Sequence, residues 1–199
     1  LVLALVIGFL VSGIFSDEFQ TKADSIFFSA RFGRSRGIFA KVGAGFYITT
    51  GFYLMFVFLY TFIVLFVLGA DGASCPIQLD LWRSVYNITF LQAYLFIVLG
   101  GYIGTIFAAT LAMLASAFTH STPTAVIVPF IVLCVFPFLS RIITLPGLCS
   151  FFPDQLLEIY LDIKEAGLIT LGSKVTTIAT VIVPVYSVVC LIFQPILYR

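Results

Sequence analysis

The sequence predicts an all-α, polytopic membrane helix bundle, and three observations carry that prediction. Hydrophobic residues make up 61% of the 199 positions and charged residues only 10%, with a mean hydropathy of +1.18. Apolar surface on that scale exceeds what one small soluble core can hide. Five apolar runs alternate with polar segments; the first is short, and the other four meet or approach the roughly 20 residues a spanning helix needs. None of the five contains a charged residue.

The first run, Leu1 to Phe15, is interrupted only by Ser12. It lacks a basic leader and a small-residue cleavage site, so no removable signal is expected, and an upstream helix is expected before it. Ser16 to Lys41 is the one long polar interruption between two strongly apolar runs. It holds five of the ten basic residues, Lys22, Arg31, Arg34, Arg36 and Lys41. Ser16 followed by Asp17 and Glu18 predicts a helix start, with a hydroxyl cap and two carboxylates at the positive end. The later cations stand among Phe19, Phe27, Phe28, Phe32 and Phe39, a mixture suited to the positive side of a membrane boundary. Gly33 and Gly37 allow a turn, and the stretch reads as a cytoplasmic helix-turn-helix available to a partner.

Val42 to Ala70 is the second run and closes at Asp71-Gly72. The loop from Asp71 to Asn87 carries Cys75, Pro76, Asp80, Arg83 and the only tryptophan, Trp82, a pattern of interfacial anchoring and re-entry. In the third run, Phe90 to Phe118, Gly100, Gly104, Ala108, Ala112 and Ser116 recur every fourth position, so one helix face can admit another backbone closely. His120 to Pro123 forms a tight turn. Ala125 to Leu139 returns, bent by Pro129 and Pro137. Within an outer-face segment over 146–173, Pro153-Asp154 opens an amphipathic helix that Gly167 can end. Its Asp154, Glu158, Asp162 and Glu165 oppose Leu156, Ile159, Tyr160 and Ile163, which predicts a surface helix. Val175 to Leu197 is the last run and contains Pro184. The chain is thus one transmembrane domain, 1–199, with 16–41 as its cytoplasmic segment.

Charge selects the orientation. With Ser16 to Lys41 inside, the inner set has six basic residues (Lys22, Arg31, Arg34, Arg36, Lys41, Arg199) against three acidic ones. The outer set has four basic residues against Asp71, Asp80, Asp154, Glu158, Asp162 and Glu165. The positive-inside rule therefore places the opening polar stretch and the C-terminus in the cytoplasm of a cell-membrane protein. A net charge of +1 gives no reason to expect nucleic acid.

No catalytic constellation, phosphate-binding loop or metal-ligand cluster is visible. The single histidine, His120, reads as structural. Cys134 and Cys190 read as packing residues, whereas Cys75 and Cys149 share the outer face, where a disulfide is possible. Asn87-Ile88-Thr89 matches a glycosylation sequon, but its closeness to a span reads as accidental. Tyr47, Thr49, Thr50, Tyr60, Thr61, Gln92, Tyr94, Tyr102 and Thr105 either line a pathway or bond helix to helix, and the second reading is preferred.

The chain resembles the permease subunits of type-two ABC exporters, particularly those of Gram-positive bacteria. The residues that carry the resemblance are Phe15-Ser16-Asp17-Glu18, then Lys22 and Asp24, then Gly33-Arg34-Ser35-Arg36 and Lys41, followed by the small-residue turn from Ser116 to Ala125 and the amphipathic segment before the last run. The family usually has six spans, against five here. The resemblance implies a second permease chain and two ABC ATPase subunits as partners, which supply ATP and Mg, and Asp17 to Lys41 as the coupling element. This chain itself is expected to carry no cofactor and no enzymatic activity. The expected function is export of an amphiphile such as a peptide antibiotic, lipid or drug. The rivals are a non-transporting immunity or sensor protein and a membrane-embedded lipid enzyme, the latter disfavoured because no His, Asp or Glu lies inside a run.

Overall fold

The computed structural model describes residues 1–20, 36–82, 84–119, 121–135, 138, 153–164, 168–171 and 174–196. The described chain is helical but for one short hairpin. The elements are α1 (Val2–Gln20), α2 (Ile38–Leu68), a 3-10 turn (Ile77–Leu79), α3 (Phe90–Thr119) and α4 (Thr122–Phe130), which runs into a π-helical turn (Ile131–Val135). There follow α5 (Asp154–Leu157), α6 (Ile159–Lys164), strands β1 (Leu168–Leu171) and β2 (Lys174–Thr177), and α7 (Ile178–Ile196). Helices α2 and α3 are each long and apolar enough to cross a membrane. At 1.5 Å per residue each is about 45 Å long, more than the about 30 Å of a bilayer's hydrocarbon layer.

Helix α1 does not restart at Ser16. It continues to Gln20, because the Ser16 hydroxyl donates back to the Ser12 carbonyl at 3.2 Å within the helix instead of capping a new one. Helix α2 ends at Gly69, whose N–H reaches the Leu65 carbonyl at 3.0 Å and whose φ of 75° suits glycine. Helix α3 opens with a reciprocal cap: the Thr89 N–H donates to Gln92 Oε1 at 3.1 Å, and the Gln92 N–H to Thr89 Oγ1 at 3.4 Å. In α4, Pro129 has no N–H for the carbonyl one turn back, and the wider π turn follows within two residues.

Helix α3 is the hub, and α1, α2, α4, α5, α6 and α7 all pack on it. The contacts fix their directions. Ser16 meets Ser116, and Ala4 clusters with Ala108, so α1 runs parallel to α3. Helix α2 runs antiparallel, since Gly45 lies on Met113 while Thr61 reaches Tyr94. Helix α7 descends parallel to α3, with Val183 near Ile97 and Phe193 6.4 Å from the Phe107 ring. The end of α1 and the start of α2, which flank the 16–41 segment, therefore lie at the Thr119 end of α3. The loop after α2 gathers at the Phe90 end, where the Cys75 carbonyl accepts the Phe90 N–H at 3.1 Å.

The described residues are overwhelmingly helical, as expected, and two details depart from the sequence reading, a short hairpin before the last helix and the seat of the outer segment. Strands β1 and β2 form an antiparallel hairpin, with Leu168 opposite Thr177 and Leu171 opposite Lys174, so the last helix starts at Ile178 instead of Val175. The 154–164 segment breaks at Glu158 into two short helices that press into α3. Leu156, Ile159 and Ile163 are buried as expected, but Tyr160 is exposed and Asp162 is buried. The Asp162 carboxylate accepts the Ala179 N–H at 2.7 Å and so closes the start of α7. An anion at that helix end offsets its desolvation.

Candidate functional site

The small-residue face of α3 explains why the 154–164 segment sits where it does. Gly100, Gly104, Ala108, Ala112 and Ser116 are all buried. A methyl on Gly100 would lie 1.8 Å from Ile159 Cδ1 and 3.2 Å from the Leu156 carbonyl oxygen, and one on Gly104 would lie 2.6 Å from Leu157 Cδ2. The upper half of the seam thus holds α5 and α6. Its middle holds α1 and the π turn, through Ala4 and Leu133 against Ala108. At its foot the Ser116 hydroxyl accepts the Ser16 N–H at 2.8 Å, and the Ser16 hydroxyl pairs with Thr122 Oγ1 at 2.8 Å. Sequence spacing marked this face but not its occupants.

Helix α2 meets α3 differently. Its most apolar window is only 6% buried, against 44% for that of α3, and hydroxyl groups make much of the contact. Thr50 Oγ1 pairs with the Tyr102 hydroxyl at 3.1 Å, the Tyr53 hydroxyl donates to the Val98 carbonyl at 2.6 Å, and Thr61 pairs with Tyr94. Thr49 and Thr105 donate within their own helices, to Gly45 and Tyr102 carbonyls, both at 2.8 Å. The hydroxyls noted in the sequence therefore bond helix to helix or back to their own backbone, apart from Tyr47 and Tyr60, which are exposed.

Those bonds do not close the whole interface. Between α1, α2 and α3 lies an open cavity of about 200 Å³, bounded by Leu1 and by Ala4 of α1, Phe56 and Tyr60 of α2, and Tyr94 and Thr105 of α3. Every lining side chain is uncharged. Gly101 contributes by omission: a methyl there would lie 2.8 Å from the Tyr53 hydroxyl.

The remaining candidates fall as follows. Lys22, Phe27, Phe28, Arg31 and Arg34 of the proposed coupling element lie outside the described residues. Asp17 and Glu18 lie on the last turn of α1; Arg36 is exposed and Lys41 half-buried at the start of α2. Cys75, one of the two cysteines of the possible disulfide, is a free, half-buried thiol. The Cys75 backbone is tied into its own loop, with its N–H on the Gly72 carbonyl at 3.1 Å and its carbonyl on Phe90, and Cys149 lies outside the described residues. Among the described residues no His, Cys, Asp or Glu group is placed to hold a metal ion.

The residue that the sequence did not mark is Tyr86. It belongs to the loop after α2 and packs with Ile159 and Ile163, where its hydroxyl is buried without ideal hydrogen-bonding geometry to any described group. Burial, reinforced by the Asp162 carboxylate and opposed by the Thr177 hydroxyl, pushes its ionisation above the ordinary value of 10. Comparisons of the chain with protein-family models, with curated proteins and with solved structures find no match.

Proposed function

We propose that the chain is the transmembrane permease subunit of an ATP-driven ABC exporter that moves an amphiphilic substrate across the cell membrane. The observation that carries this reading is the seam of small residues on α3, Gly100, Gly104, Ala108, Ala112 and Ser116, along which helices can slide without unpairing a charge. An ion-coupled carrier needs an intramembrane ionisable group, and no apolar run of this sequence contains one. Energy then comes from a separate ATPase. On this reading the Thr119 end of α3 faces the cytoplasm, α1, α2, α3, α4 and α7 are the spans, and Asp17 to Lys41 docks the ATPase, opposite a second permease chain's equivalent element. Phe27, Phe28 and Phe32 supply rings for a pocket, and Arg31 and Arg34 fix the orientation.

Purification of the tagged chain from its native membranes tests the reading. An ATP-hydrolysing subunit is expected to accompany it, and Phe28→Ala or Arg31→Ala to lose that subunit while the chain stays folded and inserted. Phe28→Leu and Arg31→Lys separate docking from lipid anchoring, since an anchor keeps its apolar area and charge in both. Full retention of ATPase association and stimulation in both alanine variants rejects the coupling assignment.

A further inference from the structure

The backbone of α4 is broken near its middle. Pro129 has no N–H to offer the Ala125 carbonyl, the Ile131 N–H is divided between the Ile127 and Val128 carbonyls, and the π turn from Ile131 to Val135 follows at once. Helices bend at such places. The two sides of the break are held unequally. At the break and beyond it, the Pro129 ring lies 3.7 Å from a methyl placed on Gly8, and Leu133 is fully buried with Ala4 and Ala108. Before it, the arm from Thr122 to Val128 buries one side chain, Ala125, and is tied down through Thr122.

The tie has a direction. The Ser16 hydroxyl gives its proton to the Ser12 carbonyl at 3.2 Å, so across the 2.8 Å pair the Thr122 hydroxyl is the donor to Ser16 Oγ. Ser16 is fully buried and is itself fixed by its N–H on Ser116 Oγ at 2.8 Å. Its helix continues to Gln20, within the 16–41 segment. We propose that the Ser16–Thr122 pair is a latch and Pro129 to Leu133 its hinge: with the latch open, the Thr122–Val128 arm swings away from α1 and α3 while Leu133 keeps the rest of α4 seated. Movement of the end of α1 then reaches α4 without unpacking the hub. As the route of an ATPase stroke this rests on the function proposed above; the hinge itself rests only on contacts within the chain.

The test uses the full chain alone in lipid nanodiscs, with the four native cysteines replaced and spin labels on one of two introduced pairs, Tyr47→Cys with Thr124→Cys or Tyr47→Cys with Val135→Cys. All three positions are exposed. Double electron–electron resonance is expected to find, for the Thr124 pair, a displaced distance whose share rises roughly three-fold in Thr122→Val. Ser16→Ala is expected to give the same rise, and the double variant no more than either, because both delete one bond. The Val135 pair keeps a single distance throughout. Pro129→Ala restores the N–H and is expected to suppress the displaced population. Equal broadening at both pairs, no change in either single variant, additive effects in the double variant, or a displaced population that persists in an assembled Pro129→Ala chain overturns the proposal. Should Pro129→Ala fail to assemble, the Ser16 and Thr122 variants decide alone. No ATPase is present, so failure here and failure of the purification experiment are distinguished.

Discussion

Single atoms decide several positions. Asp162 holds the Ala179 N–H from a neighbouring element, so Asp162→Ala leaves the start of α7 uncapped and is expected to cost about 0.5–2 kcal/mol, whereas Asp162→Asn keeps the acceptor and most of that stability. Resistance to thermal denaturation of the purified chain measures both. Gly100 and Gly51 form an internal control. A methyl at Gly100 meets Ile159 and the Leu156 backbone, whereas one at Gly51 meets nothing within 4 Å. Gly51→Ala is expected to stabilise α2 by roughly 0.5–1 kcal/mol, and Gly100→Leu to expel the 154–164 segment, read as new protease cleavage there. Tyr86 gives a pH dependence. Its pKa is raised in the folded state, so its share of stability is intact below the unfolded value of about 10 and is lost as pH rises through the folded value. Tyr86→Phe is expected to flatten the alkaline loss, because the ionisable hydroxyl is gone. A steeper alkaline loss in the variant contradicts the assignment.

At the scale of elements, hydropathy and small-residue spacing were enough to place α2, α3 and the seam, because period and length are properties of the local sequence. What packs into the seam is a tertiary choice. The 154–164 pattern of apolar and acidic positions suits a water-facing helix, yet glycine at 100 and 104 leaves grooves that Leu156, Leu157 and Ile159 fill. That burial carries Asp162 inward to a helix start that local sequence could not locate. The hairpin was legible in principle: Leu168–Leu171 and Lys174–Thr177 flank Gly172-Ser173, a two-residue link with glycine first, as hairpins favour. High apolarity on both sides masked it as the approach to a span. The cavity was not legible at all, since its lining comes from three helices distant in sequence. The α2–α3 hydroxyl pairs imply a further expectation. Tyr53→Phe removes one interhelical bond and is expected to cost about 0.6 kcal/mol, and at most about 1.7, because such bonds in membranes are individually weak. Denaturation in mixed detergent measures it.

The whole molecule has two distinct ends. Ser16, Ser116 and Thr122 tie one end together through buried hydroxyls, next to the 16–41 segment. The loop from Gly69 to Thr89, the 159–164 helix and the hairpin gather at the other, with Cys75 among them as a free thiol. The central claim is that a membrane separates these ends, with the 16–41 segment in the cytoplasm. Labelling of intact cells with an impermeant maleimide tests it most directly, using one chain that keeps only Cys75 and another, lacking all four native cysteines, that carries Ser35→Cys. The account predicts that Cys75 reacts before lysis and that Ser35→Cys reacts only after it. Reaction of Ser35→Cys in intact cells, with Cys75 protected until lysis, would contradict the orientation and the coupling role built on it.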